Sequence, residues 1–343
     1  MTASEPVQVG GLDGTLFRAE AIAPETAEFN LRLRELVKGL PGPESGGGIP
    51  RPPTQPSERA RTIRTTGRGG HELPLRVIAP DRPKGVYLHF HGGGFVSGSA
   101  AQSDQELERI ARNTGLACVD VDYRLAPTHP HPAAWDDAES AALWLIENAK
   151  SEFGTDALAI GGLSAGATLA ASVLVRLRER RGSTGFQAAN LVFGNFDLSM
   201  TPSQTLIGAD AVPVSVDMIR ACTDAVAPRS DRRQDPDLSP LFADLRDLPS
   251  ALFTVGTLDP FLDDSLFMHA RWIAAGNQAE IAVYPGGGHG FTEAPIPLAD
   301  QANDRIDAFL RQVGRDPQGS PRSVDPTSMR RCSDDGDFHD EQL

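Results

Sequence analysis

The stretch Ala157–Val175, ALAIGGLSAGATLAASVLV, decides how the rest of the chain is read. Leu158-Ala159-Ile160 is a short apolar run of the kind that forms a buried strand. Ala167 to Arg180 reads as a helix closing in RLRERR. Between them lies Gly162-Leu163-Ser164-Ala165-Gly166, a G-x-S-x-G motif in the strand–turn–helix setting that the motif requires. The two glycines remove Cβ atoms where strand and helix approach closely, which lets a serine sit at the apex of a strained turn with its Oγ exposed. The helix that follows aims its backbone N–H groups and positive dipole end at the same place. About nineteen residues here carry no charge, so length alone would also allow a membrane span. The three glycines, the Ser/Thr content and the strand-like start point to a soluble core instead.

Working outward, strand and helix signals alternate. Glu72 to Ala79 and Gly85 to Phe90 read as strands, the second running into His91-Gly92-Gly93-Gly94-Phe95. A helix is expected over Ser103–Asn113, a buried strand over Leu116–Val121, and a helix from about Ala134 to Lys150. Past the Ser164 helix, strands are expected at Asn190–Phe193, Ala251–Val255 and Ile281–Tyr284, with helices reaching Ala275 and running from about Leu298 to Val313. This rhythm predicts an α/β fold with a mostly parallel sheet and helices on both faces. The rhythm breaks at about 198–240, where Met218–Val226 has helical character and a polar run, APRSDRRQDPD, follows. That segment is read as an insertion over the top of the sheet.

Three domain parts are therefore expected: residues 1–62 as an N-terminal cap segment and connector, 63–313 as the core with its insertion at about 198–240, and 314–343 as a disordered tail. In the first part, Phe29, Leu33, Leu36, Val37 and Leu40 fall at helical spacing and stop at Pro41-Gly42-Pro43. This helix could pack at the mouth of a site or simply on the core. The tail is rich in Asp, Pro and Ser and has too few apolar residues to offset its ordering entropy.

Composition narrows the function class. The 343 residues are 40% hydrophobic and 23% charged, an ordinary globular balance. A net charge of −14 disfavours nucleic acid and anionic membranes as partners. Three cysteines, Cys118, Cys222 and Cys332, are odd in number and unpatterned, which points to a reducing compartment. MTASEPVQVGGLDG shows neither a basic n-region nor an apolar h-region, so a cytoplasmic location is expected.

Three loops that follow expected strands offer Ser164, Asp259 and His289, in the chain order Ser…Asp…His. In a parallel sheet the C-terminal strand ends share one edge, so distant residues can converge there. Serine is a weak nucleophile at neutral pH and needs a base. His289 can take its proton and return it to a leaving group, and Asp259 can hold the imidazole in the required tautomer. Asp263 and Asp264 are rivals for the acid, but they fall at an expected helix start, where N-terminal duty explains them. Gly93 and Gly94 leave backbone N–H groups unshielded and could serve an oxyanion together with the N–H of Ala165. A phosphate-binding loop is disfavoured there, because no Lys-Ser/Thr follows. His91 reads as a hydrogen-bonded anchor of this loop. His89-x-His91 and His129-x-His131 have metal-like spacing, but no carboxylate cluster accompanies them in sequence, so no metal and no cofactor are expected.

HGGGF, YRLAPTHPHPAAWDD, GLSAG, TLDPFLDD and HGF, in that order, resemble the bacterial hormone-sensitive-lipase-like branch of the α/β-hydrolases. The resemblance spans about Ile63 to Val313. It implies an eight-stranded core with a helical cap and hydrolysis of carboxylic esters. It also implies Ser164, Asp259 and His289 as the catalytic triad, with Gly93, Gly94 and Ala165 as the oxyanion hole. The partner is then a small-molecule ester, with the oligomeric state open between monomer and homodimer. The chain departs from the family pattern at Leu163, where an aspartate is usual, at Ala167 in place of glycine, and at Thr128 in place of glutamate. The triad alone would serve amide as well as ester cleavage. A small-molecule receptor on the same fold is the alternative from another class, and the presence of His289 argues against it.

Overall fold

A computed structural model describes residues 12–37, 56–208 and 213–314. The expected Pro41-Gly42-Pro43 stop, most of the connector, Cys332 and residues 315–343 of the expected tail lie outside the described residues.

Eight strands form one sheet: β1 (Arg61–Thr66), β2 (Glu72–Ile78), β3 (Val86–Phe90), β4 (Ala117–Val121), β5 (Leu158–Leu163), β6 (Ala188–Val192), β7 (Ser250–Gly256) and β8 (Ala279–Tyr284). Their order is β1-β2-β4-β3-β5-β6-β7-β8. The pairs β1–β2 and β2–β4 are antiparallel and every other pair is parallel. All residues of β3, β4, β5 and β6 are buried, because helices cover both faces and leave no solvent side on which alternation would appear. At the edge, β1 is mostly exposed Arg and Thr, a composition that discourages pairing with another sheet.

Among the described residues the helices are α1 (Pro24–Val37), α2 (Asp104–Thr114), α3 (Ala133–Phe153), α4 (Ala165–Arg181), α5 (Pro202–Leu206), α6 (Val216–Val226), α7 (Leu262–Ala274) and α8 (Pro297–Leu310). One apolar cluster joins the sheet to Trp135 and Leu145 of α3, Leu169 and Val173 of α4, and Met268 and Trp272 of α7. The other joins it to Leu107 and Ile110 of α2 and to Ile306 and Leu310 of α8. The sheet is thus covered on both faces, which is the expected α/β class.

One departure from the expected elements has a clear cause. β5 runs on through Gly161, Gly162 and Leu163, because Gly161 and Gly162 pair with His89 and Phe90 on one side and with Asn190 and Leu191 on the other. Pairing on both edges outweighs the poor strand propensity of glycine. The uncharged run continues into α4, whose residues 165–177 are all buried between sheet and neighbours. Arg176, also buried there, is paired with Asp136 at 3.0 Å, Glu139 at 3.2 Å and Asp237 at 2.5 Å. No helix among the described residues is long and apolar enough to cross a membrane.

The N-terminal helix packs through only part of its expected face. Thr26 is buried and Phe29 touches the core, whereas Leu36 is 69% exposed. Asn30 Nδ2 donates to Gly286 O at 2.9 Å, so α1 braces the loop that leads to His289. The segment between β6 and β7 carries α5 and α6. Its charged run does not line the pocket described below: Arg233 pairs with Asp224, and Asp237 joins Arg176 and His131.

Candidate active site

Ser164 occupies the sharp turn between β5 and α4 with φ 55° and ψ −121°, a conformation that costs a non-glycine residue about 1–3 kcal/mol. Its N–H donates to Val192 O at 2.9 Å, which helps hold the turn. The flanking glycines are dictated by space. A Cβ on Gly162 would stand 2.4 Å from Phe90 O, and one on Gly166 would stand 1.9 Å from the same carbonyl. The end of β3 therefore presses directly against this turn.

Asp259 follows β7 and His289 follows β8, adjacent parallel strands, so their loops emerge side by side. The loops are also stitched together. Thr257 N donates to Tyr284 O at 2.9 Å, Leu258 N to Gly287 O at 3.0 Å, and Gly286 N to Thr257 Oγ1 at 2.9 Å. The result is a continuous chain: His289 Nδ1 lies 3.0 Å from Asp259 Oδ2 and Nε2 lies 3.0 Å from Ser164 Oγ. Asp259 is buried, and its Oδ1 also accepts the N–H of Phe261 at 2.8 Å. Phe193 and Phe261 meet the imidazole edge-on, with ring centroids 4.7 and 5.0 Å away. These two aromatics pack against the ring and restrict its orientation. They escape sequence reasoning because an aromatic after a strand reads as ordinary core.

Gly93 and Gly94 stand beside Ser164 in the loop after β3, with φ 122° and 61°. The loop is closed by Val96 N and Ser97 N donating to Gly93 O, both at 3.1 Å. Ala165 is the first residue of α4, so its N–H lies ahead of the intrahelical bonding pattern. His91 is an anchor: its Nδ1 meets Gly92 O at 2.8 Å, its ring stacks on Tyr123 at 4.2 Å, and the Tyr123 hydroxyl donates to His91 O. Burial pushes the His91 pKa down, which suits a neutral structural ring.

One expectation is corrected. Asp264 does not serve its helix start: it is buried, Oδ1 accepts from Phe196 N and Asp197 N, and Oδ2 accepts from Thr201 Oγ1 and Gln204 Nε2. Burial pushes its carboxyl up to about 7 against the pull of these donors. Asp263 likewise accepts the N–H of Ser203 at 2.8 Å, so both acids hold the segment that leaves β6. A carboxylate reaches one histidine of each pair from a distant part of the chain. His89 Nδ1 lies 3.1 Å from Asp120, its register partner on β4, and His131 lies 3.2 Å from Asp237. Burial works against charge on His89, but Asp120 and Glu106 outweigh it and hold the imidazole above its usual range. Among the described residues, no group of three or more His, Cys, Asp or Glu side chains could hold a metal ion.

The chemistry-bearing groups open into a cavity of about 120 Å³. Leu163, Phe193 and Phe261 form part of its wall, and Met218, Ile219 and Cys222 of α6 form another part. Burial pushes the Cys222 thiol up to about 11, so it is a neutral part of that wall. Leu163 makes the wall beside the nucleophile apolar where the family pattern has a carboxylate, while Thr128 is exposed and away from the cavity.

Residues 87–293 match the family described as the alpha/beta hydrolase fold. The chain belongs to the α/β-hydrolase family. Within it, the chain belongs to the hormone-sensitive-lipase-like, carboxylesterase branch. It is similar to Esterase LipI of Mycobacterium tuberculosis, at 32% identity over 91% of this chain and 95% of that protein. Carboxylesterase NlhH of Mycobacterium tuberculosis is 34% identical over 73% of this chain and 82% of its own length. Among solved structures, this α/β-hydrolase resembles a hyperthermophilic esterase from the archaeon Pyrobaculum calidifontis. The TM-score is 0.71 and the identity 29%, covering 84% of this chain and 91% of that one.

Proposed function

We propose that this chain is a serine hydrolase of carboxylic esters that works through an acyl-Ser164 intermediate. The observation that carries the reading is the unbroken Asp259–His289–Ser164 hydrogen-bond chain, whose Ser164 and His289 line the cavity. His289 Nε2 takes the Ser164 proton as Oγ attacks the ester carbonyl, and then returns it to the departing alcohol. Asp259 holds Nδ1 protonated and stabilises the imidazolium. The N–H groups of Gly93, Gly94 and Ala165 receive the tetrahedral oxyanion. Water activated by His289 then releases the acid. These steps draw on side chains and backbone of this chain alone. The esterase names of LipI and NlhH favour esters over amides.

The same proposal assigns α6 and the surrounding 198–240 insertion, with residues 1–62, to a cap over the 63–313 core. The position of α6 in the cavity wall supports it. It also places the protein in the cytoplasm, on the small and unpatterned cysteine set.

Short-chain preference follows from the size of the cavity. Each buried CH₂ is worth about 0.8 kcal/mol only while the pocket can enclose it. With p-nitrophenyl esters, kcat/KM is expected to peak at acyl chains of about two to six carbons. The matching anilides should react far more slowly, and no rate jump should appear when a triglyceride passes its solubility limit. A maximum at long chains, or activation by emulsion, contradicts this part of the proposal. Faster anilide than ester cleavage contradicts the ester assignment.

A further inference from the structure

Asn195 lies in the segment leaving β6, is only 7% exposed, and lines the cavity among apolar neighbours that include Leu163, Phe193 and Phe261. Its backbone carbonyl accepts the Thr168 hydroxyl at 2.6 Å, which fixes it to α4 one turn beyond Ser164. Its side chain is fixed by Gln204, a residue with no exposed surface, whose Nε2 lies 3.2 Å from Asn195 Oδ1.

The orientation of both amides is dictated by chemistry. Gln204 Nε2 also lies 3.2 Å from Asp197 O and 2.8 Å from Asp264 Oδ2, so its two N–H groups serve three acceptors and one of them is shared. A peptide carbonyl can only accept, so this end of Gln204 is its nitrogen. A nitrogen donor requires that the Asn195 atom facing it be oxygen. The Asn195 NH₂ group therefore turns away from Gln204. It has no hydrogen-bond partner among the described residues, and it is not among the polar atoms sealed inside the protein. Asn195 lines the cavity and its carbonyl end is held by Gln204, so the unpaired NH₂ is a donor awaiting an acceptor.

We propose that Asn195 determines specificity, presenting Nδ2 to the bound ester and selecting substrates that carry an ether or keto oxygen on the acyl or the alcohol part. This rests on the hydrolase reading above. Under a plain alkyl chain the donor is covered and unpaired, whereas an acceptor oxygen at that point satisfies it. A site built to hydrogen-bond a substrate atom discriminates against the analogue that lacks it.

Two substrate pairs differing only by oxygen for methylene test the inference. On the acyl side, p-nitrophenyl methoxyacetate is compared with p-nitrophenyl butyrate. On the alcohol side, 2-methoxyethyl acetate is compared with butyl acetate. The readout is the oxygen-to-carbon ratio of kcat/KM in the unmodified enzyme divided by the same ratio in Asn195→Leu, so the intrinsic reactivity of each pair cancels. The oxygen-to-carbon ratio is expected to be about five- to tenfold lower in Asn195→Leu, a quotient of about five to ten, in one pair, which identifies the side that Asn195 reads. Asn195→Asp keeps the oxygen that faces Gln204 and replaces the donor by an acceptor. It should lower the ratio at least as far, and it decides the question if Asn195→Leu does not fold. Ratios unmoved in both pairs by a folded variant overturn the inference while leaving the hydrolase reading intact. If the unmodified enzyme cleaves none of the four esters, the hydrolase reading itself has failed.

Discussion

Ser164→Ala is expected to lower kcat/KM for a short p-nitrophenyl ester by at least about three orders of magnitude while leaving the fold unchanged. The loss follows from chemistry, because alanine supplies no nucleophile to accept the acyl group. The fold should persist because, among the described residues, the Ser164 side chain is hydrogen-bonded only to His289, and the turn is held by main chain and by the two glycines. Alanine inherits the same φ of 55°, so the backbone strain is already present and is not increased. Thermal unfolding beside the kinetic assay separates the two effects. A variant that keeps most of its esterase activity means that another group attacks the ester.

Asp259→Asn should be comparably severe, with a loss on the order of 10⁴-fold. Asp259 is buried, and its two oxygens meet His289 Nδ1 at 3.0 and 3.2 Å. An asparagine there can turn its NH₂ toward the ring. Nδ1 must then accept, Nε2 carries the proton, and the imidazole can no longer take one from Ser164. Asp263→Asn is the control. Its carboxylate is bonded to Ser203 N and makes no contact with His289, so turnover should change by less than about threefold. Comparable damage from the two substitutions would mean that the acid has been misassigned.

The parts of this site that are legible in the sequence are those set by local pattern. Glycine spacing around Ser164, the stop of each apolar run, and the strand rhythm that puts Asp259 and His289 in successive loops are each read within a short window of chain. What stays hidden is made across the chain. Asp264 reads as a helix-start residue because the donors it serves, 60 to 68 positions earlier, are brought to it only by the return of the chain from β6 to β7. His89 lacks a carboxylate nearby in sequence because its partner sits on the adjacent strand, and only the register of β3 with β4 places Asp120 opposite it. The same holds for Asn195, whose orientation depends on Gln204 and through it on Asp197 and Asp264. Leu36 of α1 shows the converse error: helical spacing marks it as part of a packed face, yet the helix meets the core through Thr26 and Phe29 and leaves Leu36 in solvent.

The passage of an acyl group through Ser164 is open to direct observation. An aryl alkylphosphonate with a short alkyl chain mimics the tetrahedral intermediate and leaves a stable phosphonyl group on an activated nucleophile. Incubating the protein with a slight excess, and following activity together with the mass of its peptides, should show one phosphonyl group per chain. That group should sit on the peptide containing Ser164, with activity falling in step with labelling. Complete inactivation with the label on any other residue, or full activity retained by chains labelled at Ser164, contradicts the mechanism.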